Sequence, residues 1–221
     1  MNNSDKIILD LCGGTGAWSR PYTEAGYTVH NITLPDFDIL NTYPFNGMAT
    51  DSLEGHNGSG CKFRHLHFSG KYKTLNIDAS KIHSILAAPP CIEFSLAKST
   101  KPRDFDKGMQ VVRKCLEIIW HCRARGNLKW WGLENPRGFL RQFLGRPAFE
   151  FEQWQFGHKG IKPTDIWGYF ENPKRLIKIK PKNLSKYYPC GSRNGLGWSK
   201  SAEERAITPE GFAKAFFKTN K

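Results

Sequence analysis

The chain is short of acid, of long apolar runs and of paired cysteines. No stretch of about 18 apolar residues occurs anywhere in its 221 residues, so a membrane-spanning helix is not expected. Its opening, MNNSDKIILDL, carries neither a basic leader nor a small-residue cleavage site, which predicts a cytoplasmic protein, bacterial or from a phage-infected cell. The cysteines at 12, 61, 91, 115, 122 and 190 form no C-x-x-C pair, and a chain of this length needs no disulfide framework; reduced thiols are expected. Cys61, His65 and His67, with His56 nearby, make C-x3-H-x-H, which is not a zinc spacing, and no metal is expected. No internal repeat is visible.

What is present points elsewhere. Lys plus Arg number 33 against 20 Asp plus Glu, a net charge of +13, so the expected partners are polyanions. Hydrophobic residues make up 39%, enough for a real core in one domain. Lys6–Leu11 is a short apolar run that ends in Gly13-Gly14-Thr15-Gly16, and a second apolar run covers 27–32. That order predicts strand, tight turn, helix, strand, a βαβ unit of a parallel sheet. Residues 46–75, rich in Gly, Ser, His and Lys, read as an inserted loop with a hairpin around Phe63–Phe68. Ser84–Ala88 is a buried-strand candidate stopped by Pro89-Pro90. Asp104 or Asp106 is placed to cap a helix running to about Cys122, with Met109, Val112, Leu116 and Ile119 on one stripe. Strands are expected at Lys129–Leu133 and Asp165–Phe170, and a closing helix at Gly211–Asn220. Strand alternation puts one of Trp130 and Trp131 in the core and the other on the surface.

Strands alternating with helices predict an α/β sandwich, and in such folds ligands bind at the carboxyl edge of the sheet. Cys91 directly follows a strand and two stiff prolines, at that edge. Most solitary cysteines are inert core residues, but this position suits a nucleophile. Glu134-Asn135-Pro136 ends another strand and would bring a carboxyl and an amide to the same rim. The glycine turn at 13–16 would let a nucleotide-like ligand approach the backbone, although it is not G-x-G-x-x-G. Between 171 and 200, eight lysines and arginines face the single acid Glu171, with Tyr187, Tyr188 and Trp198 interleaved, a composition suited to phosphate contact and base stacking. Arg141, Gln142 and Arg146 are further candidates for phosphate contact.

The motifs DLCGGTGAWS, AAPPCIEFS, LENPRGFL and FGHKGIKPTDIWG, in that order over residues 7–168, resemble the cytosine-5 DNA methyltransferase family, and the terminal RAITPEGFAKAFF is similar to that family's closing helix. The most similar members are small phage or prophage types. The resemblance implies a Rossmann-like class I methyltransferase sandwich, mostly parallel in its sheet, with a catalytic domain over 1–170, a small basic target-recognition segment over 171–200, and a helix in 201–221 that completes the domain. It implies S-adenosylmethionine as cofactor, DNA as partner and a monomeric enzyme. Cys91 would attack carbon 6 of a flipped cytosine, Glu134 would hold the base's pairing edge, Asn135 would fix that loop, and Lys162 would replace an arginine of the family's Gln-x-Arg-x-Arg.

By the same resemblance, Asp10, Cys12, Gly13, Gly14, Thr15, Gly16, Trp18, Asp36, Asp38 and Pro90 would line the cofactor, with Asp36 at the ribose and Asp38 at the adenine amine. Ser95, Arg137, Lys174, Arg175, Lys178, Lys180 and Arg193 would contact nucleic acid. Two alternatives stay open: an RNA cytosine methyltransferase of the same fold, since both substrates are polyanions, and a nucleic-acid-binding protein on a decayed methyltransferase scaffold. The short recognition segment and the missing arginines favour decay, and the intact Cys91 and Glu134 oppose it.

Overall fold

A computed structural model describes residues 2–45, 64–96, 98, 101–158, 161–182 and 206–221. The main sheet has the order β2-β1-β6-β7-β9-β8, built from β1 (Ile7–Leu11), β2 (Thr28–Ile32), β6 (Ile82–Ala87), β7 (Trp130–Pro136), β8 (Phe149–Glu152) and β9 (Pro163–Tyr169). Strands β2, β1, β6 and β7 pair in parallel, and β9 runs antiparallel between β7 and β8. A second, antiparallel sheet is formed by β3 (Tyr43–Phe45), β4 (His65–Ser69) and β5 (Thr74–Asp78). The fold is therefore α/β with a mostly parallel, Rossmann-like sheet. No helix among the described residues is long and apolar enough to cross a membrane.

Side-chain alternation divides the core into two layers. On one face Leu9, Leu11, Ile85, Ala87 and Leu133 pack under α2 (Phe105–Ala124), α3 (Leu140–Leu144) and the small sheet, which contributes Leu66, Phe68 and Ile77. On the other, Ile8, Leu86 and Ile166 meet α1 (Arg20–Glu24) and α4 (Glu210–Thr219) through a nest of rings that includes Trp18, Tyr22, Phe212 and Phe216. Helix α2 begins where the sequence puts its cap: the Asp104 carboxylate accepts the Lys107 amide at 2.9 Å. Its buried stripe is Val112, Cys115, Ile118, Ile119 and Cys122, with Met109 and Leu116 only partly covered.

β9 runs antiparallel to β7 and β8, a direction the apolar pattern left open. Glu134, Asn135 and Pro136 end β7, as expected, and the ladder with β9 reaches Pro136↔Thr164. One expectation needs correction. Neither tryptophan of the pair is a surface ring: Trp130 belongs to the α1/α4 layer and Trp131 is packed against the α2 layer, since β7 is a central strand covered on both faces. Of the proposed insertion, 64–75 forms β4 and the start of β5, and 46–63 lies outside the described residues. The same holds for 183–200, so of the basic segment only 171–182 is described.

Candidate functional site at the carboxyl edge of the sheet

Chain order fixes where a ligand should bind. From β1 the chain passes to β2 on one side, and the next strand of the large sheet, β6, lies on the other side of β1. The crevice beyond the carboxyl ends of β1 and β6 is the switch point at which open α/β sheets take ligands. The two segments that leave these ends are Cys12–Gly16 and Ala88–Cys91.

The first segment is held tightly over β1. Cys12 has φ 58, a left-handed conformation uncommon for a residue with a Cβ, and Gly14 and Gly16 are also left-handed at 54° and 68°. Gly13 is required for another reason: a Cβ there would fall 2.3 Å from the Asp10 carboxyl carbon. Asp10 itself is fully buried; one oxygen accepts the Ser19 hydroxyl at 2.6 Å and the other has no partner among the described residues. Burial raises this carboxyl to about 6, with the Ser19 bond acting in the opposite sense. The Gly14 amide donates to Thr33 at 3.3 Å, and its carbonyl accepts from Asn31 at 2.9 Å. Sequence reasoning missed Ser19, Asn31 and Thr33, whose only signal was proximity in chain to the glycine turn and the end of β2.

Not every proposed cofactor residue reaches this crevice. Trp18 is 2% exposed and packs on Phe212 and Phe216 with ring centroids 5.9 and 5.3 Å away, so it is a core residue. The Cys12 thiol turns to Cys115 of α2, and that contact, with burial, raises the Cys115 thiol well above the ordinary range. Thr15 and Pro90 are exposed at the rim. Asp36, past β2, pairs with Lys73 at 2.6 Å, and Asp38 caps a 3-10 turn by accepting the Leu40 amide at 3.0 Å.

The second segment is joined to the end of β7. The buried Asn135 side chain donates to the Pro89 carbonyl at 3.0 Å. Ser95 bridges Gly138, and the Phe139 amide donates to the Phe94 carbonyl at 2.8 Å. Gly138 makes this close approach possible, since a Cβ there would meet the Phe94 carbonyl oxygen at 2.2 Å. Cys91, half-buried, starts a turn whose carbonyl accepts the Phe94 and Ser95 amides at 3.0 and 2.7 Å. Arg103, unforeseen from the sequence, ties the turn down by donating to the carbonyls of Glu93, Ser95 and Lys98 at 2.8–2.9 Å. The Glu93 carboxylate accepts Lys98 and the Asp104 amide.

Glu134 lies two residues past Gly132, which faces Trp18 and Phe216, so its side chain is on the α1/α4 face, as is that of Asp10. It lines a small hollow with Gln153, Lys162, Thr164, Thr208 and Phe212. Burial raises its carboxyl; Lys162 opposes that shift, and Asp165 reinforces it. Lys162 thus shares this hollow with the Glu134 carboxyl, a neighbour the sequence did not specify. A larger cleft of about 310 Å3 between α1 and α4 shares Thr208 and Pro209 with this hollow and reaches Ala17, one residue past Gly16. Cys91 lines neither; it stands on the rim, on the segment clamped to β7.

The expected nucleic-acid contacts divide. Arg137 bonds Glu150 at 2.8 Å, Arg175 donates to the Glu150 carbonyl at 2.8 Å with its guanidinium 4.7 Å from the Phe149 ring centroid, and Lys180 is 3.5 Å from Glu152. These cations lean on β8. Arg141 is committed more deeply, to the fully buried Asp165 and to Glu150, so it serves the fold and not a phosphate. Lys174 and Lys178 are exposed, Ser95 is half-buried, and Arg193 lies outside the described residues. His65 and His67 sit on β4, while His56 and Cys61 also lie outside. No known protein-family model matches the chain, and no curated protein is significantly similar to it.

Proposed function

We propose that the chain is an S-adenosylmethionine-dependent DNA cytosine-5 methyltransferase acting through a covalent Cys91 adduct. The observation that carries this reading is the clamp between the Pro89-Pro90-Cys91 segment and the end of β7, through Asn135 to Pro89 and Ser95 to Gly138, at the ligand-binding edge of the sheet. A half-buried thiol and a half-buried carboxyl would reach the substrate from adjacent strands.

The cofactor fits the switch-point crevice in two respects. The turn at Gly13 has no room for a side chain, and beneath it the Asp10 oxygen without a partner offers an acceptor. Gly13, Gly14, Thr15 and Gly16 would hold it, with Asp36 at its polar end; bound there, it supplies an electrophilic methyl group.

The residues of the chain act on the base. Adding the Cys91 thiolate to carbon 6 opens the 5,6 double bond and places its electron pair at carbon 5, which becomes nucleophilic. Burial favours the protonated form of Glu134, which can give its proton to ring nitrogen 3 as that charge develops. Lys162 limits the shift, so the carboxyl can also take the proton back. Once carbon 5 is methylated, loss of its proton to solvent and cleavage of the carbon–sulfur bond restore the double bond and the thiolate. The cytosine must leave the duplex to be reached, which costs a few kcal/mol.

Incubation with 5-fluorocytosine DNA and labelled cofactor tests the proposal, with an RNA of the same sequence run in parallel. The fluorine cannot leave as a proton would, so a stable protein–DNA adduct is expected from the parent and none from Cys91→Ser. Equal labelling of both proteins, or adduct on RNA alone, overturns the assignment.

A further inference from the structure

At the amino edge of the large sheet, opposite the rim just described, three adjacent strands are each entered from a lysine. Lys6, Lys81 and Lys129 immediately precede Ile7 of β1, Ile82 of β6 and Trp130 of β7. The strands lie about 4.8 Å apart; the pairing Ile7↔Ile82 sets Lys6 level with Lys81, and Ser84↔Trp130 sets Lys129 level with His83, two residues along β6 from Lys81. His83 registers the two outer ones: burial first, then Lys6 and Lys129, push it down to about 4. Among the described residues none of the three lysines is ion-paired, and the nearby Asp5 carboxylate is engaged by the Asn2 amide at 3.2 Å.

The row ends on an aromatic cluster. Helix α2 returns from β6 to the start of β7, and β9 runs antiparallel to β7, so Trp120, Arg123 and Tyr169 come to this same edge. Trp120 is 55% exposed and Tyr169 66%, and the Arg123 guanidinium lies 5.6 and 5.8 Å from their ring centroids. Large exposed rings around an arginine that makes no ion pair among the described residues, beside a line of lysines, match the two needs of an unpaired polynucleotide: cations for phosphates and flat faces for bases.

We propose that this amino edge binds single-stranded nucleic acid, its phosphates following Lys6, Lys81 and Lys129 and its bases stacking on Trp120 and Tyr169. A duplex hides its base faces and would use the lysines alone. The site lies at the opposite ends of the strands from Cys91 and does not depend on the catalytic reading.

Fluorescence anisotropy of the full chain with labelled oligothymidine, and with the same strand paired to oligoadenine, tests this. Trp120→Ala with Tyr169→Ala is expected to weaken oligothymidine binding roughly tenfold or more while leaving duplex affinity unchanged. Lys81→Gln with Lys129→Gln should lower the slope of log affinity against log salt by about 1.4 for the single strand. Thermal melts identify variants that remain folded. Parent-like oligothymidine affinity in both folded double variants overturns the proposal, as does an equal loss for single strand and duplex in the Trp120→Ala, Tyr169→Ala variant. Loss of binding to phosphatidylserine vesicles with oligonucleotide affinity retained assigns the edge to a membrane surface and also overturns it.

Discussion

The two ends of the sheet treat positive charge in opposite ways. At the carboxyl edge Lys98, Arg103, Arg137 and Arg141 are spent on carboxylates and carbonyls of the chain itself, and they brace the segments that carry Cys91 and Glu134. At the amino edge Lys6, Lys81, Lys129 and Arg123 make no ion pair among the described residues. A net charge of +13 is blind to this difference. A cation beside a buried acid is part of the scaffold, whereas a cation at a strand entrance with no carboxylate against it, such as Lys6 over the Tyr27 ring, keeps its charge for a polyanion.

The comparison breaks if removing a carboxyl-edge partner costs nothing. Asp165 is fully buried and receives two bonds from Arg141, at 2.6 and 2.5 Å. Asp165→Asn removes one of the two carboxylates that hold that guanidinium, leaving Glu150, and should destabilise the chain by up to about 3 kcal/mol in urea unfolding. An unchanged midpoint would mean that Arg141 is as uncommitted as Lys81.

The carboxyl edge also stores a strained ionisation. Asp10 is raised from 3.8 to about 6 by burial, so the folded chain holds its proton more tightly than the unfolded one. Its contribution to stability is full below pH 4 and is lost as pH rises through 6. At pH 7 the ionised carboxyl costs up to about 3 kcal/mol, at 1.36 kcal/mol per pH unit. Asp10→Asn can still accept the Ser19 hydroxyl, and its stability relative to the parent should climb by about 2–3 kcal/mol between pH 4 and pH 7. A difference that stays level across that range would remove the cause assigned here.

Much of the carboxyl edge was legible from residues that punctuate the chain. The glycine turn after an apolar run, the double proline before Cys91 and the cap at Asp104 all act locally, and local chemistry survives folding. The direction of β9, the β8 strand with its Glu150 anchor, and the pairing of Arg141 with Asp165 were not legible, because each is settled by neighbours more than nine residues away or by strand order. Trp18 shows the same limit from the other side: its place beside the glycines suggested the cofactor, but Phe212 and Phe216, nearly 200 residues later in the chain, draw it into the core. The lysine row at the amino edge is written plainly in the sequence, one residue before each of three strands, but acquires meaning only when β1, β6 and β7 become neighbours.

Finer tests sharpen the contrast. Gly138→Ala places a methyl group 2.2 Å from the Phe94 carbonyl oxygen, forcing the Cys91 segment away from β7. Overpacking of that kind costs about 1–3 kcal/mol, and, on the proposed reading, adduct formation with 5-fluorocytosine DNA should fall by a larger factor than stability accounts for, since Cys91 and Glu134 lose their common frame. Full adduct yield at a lowered melting temperature would show that the clamp serves the fold alone. Lys81→Ala should be the mildest change of all. With no ion pair among the described residues and an exposed side chain, it should move the urea midpoint by no more than about 0.5 kcal/mol equivalent, and a larger loss would show that the amino edge, like the carboxyl one, uses its cations internally.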